Sequence, residues 1–242
     1  MVFENSLDGT EFEKDLAKSL LAFIPKHFGE AVKDLTLDYE SIGTEREQKL
    51  KIILHHFTRI RTVLKDLDYT LMFLSKERKL ILDHYPDLHS QKAYYNYHFE
   101  NYYIRLVTLS DILGRFGAEL YELGLDPKKT SAHVFKDRAR KEGHEKISEI
   151  TERIILHLEM LKEARHKKLH TGETDIEPLK GIMIWEDLNS IIGTETSSLL
   201  KEHTDSEVVG EMKRIESETL TLVSIMKEWL GEGSHKLKQL IG

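Results

Sequence analysis

Apolar residues recur every three or four positions through most of the chain, which is the spacing that one face of an α-helix requires. The first long run spans about 44–85 and ends before Pro86, because the residue that precedes a proline is biased away from helix. The second run spans about 90–123, with Gly124 as its C-cap. The stripe of the first run comprises Leu50, Ile53, Leu54, Phe57, Ile60, Leu64, Leu67, Leu71 and Leu74, and that of the second comprises Phe99, Tyr102, Leu106, Leu109, Leu113, Phe116, Leu120 and Leu123.

Two more long helices are predicted in the second half of the chain. One spans about 144–169, and the other spans about 206–230, where Thr204-Asp205-Ser206 supply N-cap chemistry. A shorter helix is expected at about 185–200, and the polar, basic segment 125–143 is interpreted as a loop with a short helix. The stripe of the third helix comprises Ile147, Ile150, Ile154, Leu158 and Leu161, and that of the fourth comprises Val208, Met212, Ile215, Leu222, Met226 and Trp229.

These elements predict an all-α fold, an antiparallel helical bundle of four long helices with additional peripheral helices. No segment alternates apolar and polar residues as a strand would. We expect one domain over residues 1–242, in which 1–43 form a peripheral N-terminal helix packed on the outside and 44–242 form the bundle core.

Composition narrows the classes of function. The chain has no cysteine, which excludes disulfides, thiolate nucleophiles and thiolate metal sites. It contains no bilayer-length apolar stretch and no basic, apolar leader at its start, so we expect a cytoplasmic protein with no membrane partner. Its net charge of −7 repels nucleic acid, so RNA binding would require a local basic surface.

The candidate chemistry lies near the end of the third helix, in the run Arg165-His166-Lys167-Lys168-Leu169-His170. Arg165 falls on nearly the same helical face as Ile154, so a guanidinium stands where an apolar residue is expected. A buried guanidinium requires an anion or a carboxylate, and a salt bridge to Asp111 is the structural alternative to a functional role. Arg78 and Arg138 also precede a histidine at similar spacing, but neither is followed by a polar residue of this kind.

This run resembles the signature of the HEPN family (higher eukaryotes and prokaryotes nucleotide-binding), an arginine followed by a polar residue and, a few positions later, a histidine. The four long helices and the segment Tyr102–Asp111 are similar to the family in a more general way. The resemblance implies a metal-independent endoribonuclease that needs no cofactor. In it, His170 is the general acid and base, Arg165 holds the phosphate, and His166 orients its neighbours. Lys162, Lys167 and Lys168, together with the basic segment 125–143, would supply the positive field for RNA.

Family members commonly dimerise so that two copies of the motif face one cleft, which implies a homodimer. On a continuous helix His170 would point about 140° away from Arg165, so the two side chains could not reach the same group. Gly172 follows closely, and it predicts that the helix ends before His170, which would let His170 fold back towards Arg165. Some members carry a tyrosine two residues after the motif histidine, a target for a partner of toxin–antitoxin type, and here that position is Gly172. An antitoxin partner and a defence role stay open, as does a non-catalytic module that binds nucleotide, RNA or protein.

Other chemistry is weaker in this sequence. Glu163 with His166 has the spacing used in di-iron bundles, but its companion pair, Glu232 with His235, is flanked by glycines and placed outside any long helix, so no metal is expected. His55 and His56 diverge by about 100° on a helix and are interpreted as surface or interhelical residues. The tyrosines of segment 94–103 are expected to fill the core or a dimer interface rather than to stack bases.

Overall fold

A computed structural model describes residues 3–21, 43–75, 80, 84, 88–171 and 196–241. At residues 160–171 and 196–205, and at positions 4, 88, 89, 92 and 207, it describes the backbone alone. A 3-10 turn at Glu4–Leu7 is followed by α1 (11–21), α2 (Glu45–Ser75), α3 (Leu88–Leu120), α4 (Ala132–Lys141), α5 (Glu145–Thr171) and α6 (Thr196–Ile241). The described residues contain helices and turns and no strand.

The four long helices α2, α3, α5 and α6 pack around one core, and the prediction of an all-α fold is confirmed. At one end of the bundle, where Glu122 follows the end of α3, the contacts show that α3 runs antiparallel to α2 and parallel to α6. The Glu122 carboxylate lies 2.7 Å from Nζ of Lys49, near the start of α2, and 3.6 Å from Nζ of Lys236, near the end of α6. None of the described helices is both long enough and apolar enough to span a bilayer.

The predicted apolar stripes form the core. Ile53, Leu109, Ile154 and Leu222 are each exposed by 2% or less, and so are many of their stripe neighbours. At the centre, the buried Trp229 packs its ring on Phe116 at 5.2 Å and donates a hydrogen bond of 3.0 Å from Nε1 to Oγ1 of Thr151. These two contacts of Trp229 join α3, α5 and α6. Removing an aromatic side chain from such a site typically costs about 3–5 kcal/mol.

The basic segment 125–143 is more regular than predicted, because residues 132–141 form the ten-residue helix α4. Ser131 caps its start by accepting a hydrogen bond from the backbone N–H of Val134, and Gly143 ends it with φ 82°. The helix packs on α3 where two glycines let the backbones approach. A Cβ on Gly114 would lie 2.2 Å from the carbonyl carbon of Ser131.

The N-terminal segment contributes to the core, so the expectation that it packs only on the outside is corrected. Phe3 and Phe12 are fully buried, and the Phe12 ring contacts Phe57 at 5.6 Å and Phe116 at 5.5 Å. The backbone N–H of Phe3 donates to both carboxylate oxygens of the buried Asp68, at 3.0 and 2.9 Å. The remainder of the predicted peripheral helix, 22–42, lies outside the described residues.

The last helix is longer than predicted at both ends. It begins at Thr196, so the predicted N-cap at 204–206 lies inside α6. The end of the shorter helix predicted at about 185–200 also lies inside α6, and residues 185–195 lie outside the described part. It also continues past Gly231 and Gly233, so Glu232 and His235 lie in a long helix after all. At Gly233 the chain packs closely on α3, since a Cβ there would lie 3.0 Å from Cδ2 of Leu120.

The end of α3 differs from the predicted cap at Gly124. The helix is closed two residues earlier, at Glu122, where φ is 55° and the N–H of Leu123 bonds to the carbonyl of Ala118 in the Schellman arrangement. Gly124 is also left-handed, at φ 61°, but it follows this closure. A non-glycine residue in this conformation is uncommon. Glu122 is held there by its ion pairs with α2 and α6, which a local sequence pattern does not show.

Candidate functional site

The candidate motif lies in the last turns of α5, which continues as helix through Thr171. The expectation that the helix ends before His170 is therefore wrong. The predicted site residues all lie on this stretch, and their side chains are outside the described part of the structure: Lys162, Arg165, His166, Lys167, Lys168 and His170.

The backbone places the two principal positions on different faces of α5. Position 165 lies about 20° around the helix axis from Ile154 and from Leu158, both fully buried against the bundle. Position 170 lies about 140° around the axis from position 165. Within one continuous helix, these two positions therefore do not address the same side of the bundle.

The register between α5 and α6 indicates what faces the motif. The helices are antiparallel, with Lys146 paired to Glu232 at 2.7 Å and Arg153 to Glu228 at 2.5 Å. One step further, Nε2 of His157 lies 2.8 Å from the backbone oxygen of Glu218. Continued at the same rise, this register brings the segment of α6 around residues 211–214 opposite position 165.

That segment of α6 holds a polar cluster shared with α3. The hydroxyl of the buried Tyr103 donates to Oε1 of Glu211 at 2.7 Å and accepts from the Arg214 guanidinium at 2.9 Å, while Arg214 also binds Glu211 at 2.6 Å. Burial, followed by the charge of Glu211, raises the pKa of Tyr103. The hydrogen bond to Glu211 raises the pKa of Arg214. The cluster is thus a neutral tyrosine with a fixed ion pair, which anchors α6 to α3.

His157 is a polar residue of α5 that sequence reasoning did not single out. Only 8% exposed, it lies between α5 and α6 with the Glu218 carboxylate at 3.4 Å as well as the backbone oxygen. It lies three residues after Ile154, beside the apolar stripe, and this position in the sequence indicates a residue at a helix–helix contact. Because its ring is committed to interhelical contacts, it positions α5 against α6 rather than offering a free acid or base.

The structure describes the surroundings of two features that the sequence singled out, the possible Arg165 partner Asp111 and the basic segment 125–143. Asp111, proposed as a partner for a buried Arg165, has an exposed side chain, and a dry ion pair requires a buried carboxylate. The basic segment is partly neutralised, because Lys136 and Arg140 share Glu152, at 3.4 and 2.9 Å, and Arg138 pairs with Glu142 at 3.0 Å. Its contribution to a positive field for RNA is therefore smaller than its sequence indicates.

Among the side chains that the structure describes, no group of three or more histidine, aspartate or glutamate residues is arranged to hold a metal ion. Glu232, which with His235 has the spacing used in di-iron bundles, pairs its carboxylate with Nζ of Lys146 at 2.7 Å.

Comparison with known proteins gives one family match. A family model described as Cthe2314-like HEPN matches residues 44–227, which is well over half of the chain and includes the whole of α5 with positions 165–170. No curated protein and no solved structure matches the chain. The matched region begins at the start of α2 and ends within α6, so it contains all four long helices in whole or in large part.

Proposed function

The chain belongs to the HEPN family, and on that premise we propose that it is a metal-independent endoribonuclease in which Arg165 and His170 act on the RNA phosphate. The observation that supports this most is the position of the motif. It lies inside the family match, on a helix whose preceding turns pack into the bundle.

The proposed reaction cleaves the RNA backbone internally. The 2′-hydroxyl loses its proton and attacks the adjacent phosphorus, the bond to the 5′-oxygen breaks, and that oxygen takes up a proton. The products are a 2′,3′-cyclic phosphate and a free 5′-hydroxyl. His170 suits the proton transfers because the imidazole pKa lies near neutrality. The forked guanidinium of Arg165 suits the developing charge on the phosphate oxygens.

The geometry of α5 makes a second copy of the chain part of the proposal. Since positions 165 and 170 are about 140° apart on one helix, a single chain does not bring both groups to one phosphate. A homodimer that places Arg165 of one copy beside His170 of the other would do so. His166 would then orient the neighbouring groups, and Lys162, Lys167 and Lys168 would bind the RNA backbone.

The first test is cleavage of mixed RNA by the pure protein in the presence of a metal chelator. We expect products that end in cyclic phosphate, and we expect Arg165→Ala and His170→Ala each to reduce the rate by about 10²-fold or more. Arg138→Ala and His144→Ala are matched controls, because these residues have a similar spacing at the end of α4, and they should retain the wild-type rate. Cleavage that persists in both motif variants would contradict the proposal.

Mixing the two inactive variants tests the shared site. When Arg165→Ala and His170→Ala protomers are combined and allowed to exchange, mixed dimers contain one intact pairing of arginine with histidine. We expect a measurable fraction of the activity to return. If the pure variants are inactive and the mixture is inactive as well, Arg165 and His170 do not act across two copies.

The second candidate is a non-catalytic HEPN module that binds nucleotide, RNA or a protein partner such as an antitoxin. The net charge of −7 favours the protein-binding form of this module, because an acidic chain repels an RNA backbone. Absence of cleavage by wild-type protein at every RNA and salt condition would select this module. Gly172 replaces the tyrosine that some family toxins offer for modification, so a modifying antitoxin would have to act elsewhere.

A further inference from the structure

A group of basic side chains lies on the opposite side of the bundle from α5, where α2 packs against α3. The two helices are antiparallel, with Lys49 paired to Glu122 at 2.7 Å near one end and Asp66 paired to Arg105 at 3.2 Å further along. Between these two pairs, the same register brings residues 55–59 of α2 opposite Arg115 of α3. The His56 and Phe116 rings, with centroids 6.4 Å apart, confirm it.

His56 is the buried member of this group. Its side chain is only 9% exposed, yet among the described residues Nδ1 has no hydrogen-bond partner. Nε of the half-buried Arg115 is also shielded from solvent, and no group in the described part of the chain bonds to it. A buried donor without a partner typically costs about 1–3 kcal/mol. Nε of Arg115, and Nδ1 of His56 in the tautomer that carries its proton there, would therefore gain from an acceptor with negative charge.

The positive charge of this surface is not compensated locally. Arg61, Arg105 and Arg153 each have a carboxylate within 4 Å, whereas within the described part of the chain neither Arg59 nor Arg115 has one. Asp111 and Glu119, one helical turn on either side of Arg115, form no ion pair with it. Burial, and then the charges of His55, Arg59 and Arg115, lower the pKa of His56 to about 4. The charged groups that act on this ring are therefore all basic.

We propose that His55, His56, Arg59 and Arg115 form a binding site for a phosphate group between α2 and α3. The guanidinium groups of Arg59 and Arg115 supply the forked donors that match phosphate oxygens. His56, neutral at pH 7, donates one hydrogen bond in the tautomer that carries its proton on Nδ1. The exposed ring of His55 lies beside that of His56, with ring centroids 5.8 Å apart. An anion here would offset the positive charge of Arg59 and Arg115.

This site is separate from the proposed nuclease motif. Arg115 lies next to Phe116, whose ring packs on Trp229, and Trp229 bonds to Thr151 of α5. Thr151 is fourteen residues before position 165, which corresponds to roughly 20 Å along the helix. Phosphate could therefore bind between α2 and α3 whether or not the motif cleaves RNA, and the two proposals fail independently.

The test follows the His56 side chain directly by NMR of full-length protein with isotopically labelled histidine, assigned with a His56→Gln variant. The probes are inorganic phosphate, adenosine monophosphate and a 2′-O-methylated RNA oligomer, which cannot be cleaved by its own 2′-oxygen. We expect saturable shifts of the His56 resonances and a rise of the His56 pKa, because an anion neutralises the cations around it. The probes separate the possible sources, a free phosphate or nucleotide and an RNA backbone.

Substitutions locate the binding. Arg59→Gln and Arg115→Gln should each weaken the affinity about tenfold or more, while Arg115→Lys should retain part of it. Arg138→Gln removes the same charge from an exposed ion pair on α4 and should leave the affinity unchanged. The double variant Arg165→Ala, His170→Ala should show the same phosphate-induced shifts of the His56 resonances as the wild type, because the motif is distant from His56. Circular dichroism checks that each variant folds.

Two outcomes would overturn the site. One is the absence of saturable shifts at His56 with all three probes. The other is equal weakening by Arg138→Gln and Arg115→Gln, which would show that only the net charge of the protein matters. Binding of phosphate and adenosine monophosphate without the oligomer supports a site for a free nucleotide. Binding of all three supports a site that also accepts the RNA backbone.

Discussion

Several buried polar side chains between the helices bind each other or the backbone, whereas Nδ1 of His56 has no hydrogen-bond partner among the described residues. The Tyr102 hydroxyl donates to the carbonyl oxygen of Ile215 at 3.0 Å, Trp229 donates to Thr151, and His157 contacts the Glu218 backbone. Each of these contacts joins two helices at a defined register. His56 contributes no such bond from Nδ1, so its burial costs free energy that the surrounding apolar packing must offset.

This burial predicts a specific dependence of stability on pH. The His56 pKa is about 4 in the folded state and near 6.5 when the ring is free, so the unfolded chain binds the proton more readily between these values. The free energy of unfolding should therefore fall as the pH falls from about 6.5 to about 4, by on the order of 2 kcal/mol from this group. Urea denaturation across this range measures it.

A His56→Leu variant should flatten that part of the pH profile, because it removes the group that becomes protonated on unfolding. His55→Gln is the matched control, since the neighbouring ring is exposed. An unchanged slope in His56→Leu would show that other groups account for the acid sensitivity.

Helix contacts in this bundle depend on small residues at particular points. α4 lies across α3 at two glycines: a Cβ on Gly114 would lie 2.2 Å from the Ser131 backbone, and one on Gly117 would lie 2.5 Å from the buried Phe135 ring. Glycine in a helix is otherwise unfavourable by about 0.5–1 kcal/mol relative to alanine. Its presence at these two positions is explained by the close approach of α4.

Alanine substitution separates the two effects. Gly114→Ala should lower the free energy of unfolding by about 1–3 kcal/mol, because backbone atoms of α4 must move to admit the methyl group. Gly231→Ala in α6, where no described atom lies within 4 Å of the added Cβ, should raise it by about 0.5–1 kcal/mol. Chemical denaturation of both variants gives the comparison. Equal effects at the two positions would mean that α4 does not pack on α3 as closely as described.

At the scale of the whole molecule, the proposed nuclease needs two chains. Specific activity should then fall on dilution, because monomers hold positions 165 and 170 on different faces of α5. Cleavage rate per chain, measured over a dilution series beside sedimentation of the same samples, provides the test. A constant rate per chain in samples that sediment as monomers would rule out the shared site.

Much of the fold was predictable because helical periodicity is local. Ile53, Leu109 and Ile154 are apolar at helical spacing, and each is buried as predicted. The motif at 165–170 was also found from sequence, although its side-chain geometry stays a prediction. The missed features depend on distant partners. Glu122 ends α3 with the help of Lys49 and Lys236, and Gly233 lies in a helix where it packs on Leu120.

The sequence by itself determined where helices occur and which face of each is apolar, since both follow from residues within a few positions of one another. Only the tertiary structure decided which polar groups meet, because those contacts join residues far apart in the chain. It gathered Arg59, Arg115 and His56 on one surface and fixed Tyr103 to Glu211 and Arg214. It also extended α5 through Thr171, an outcome that the glycine at position 172 did not predict.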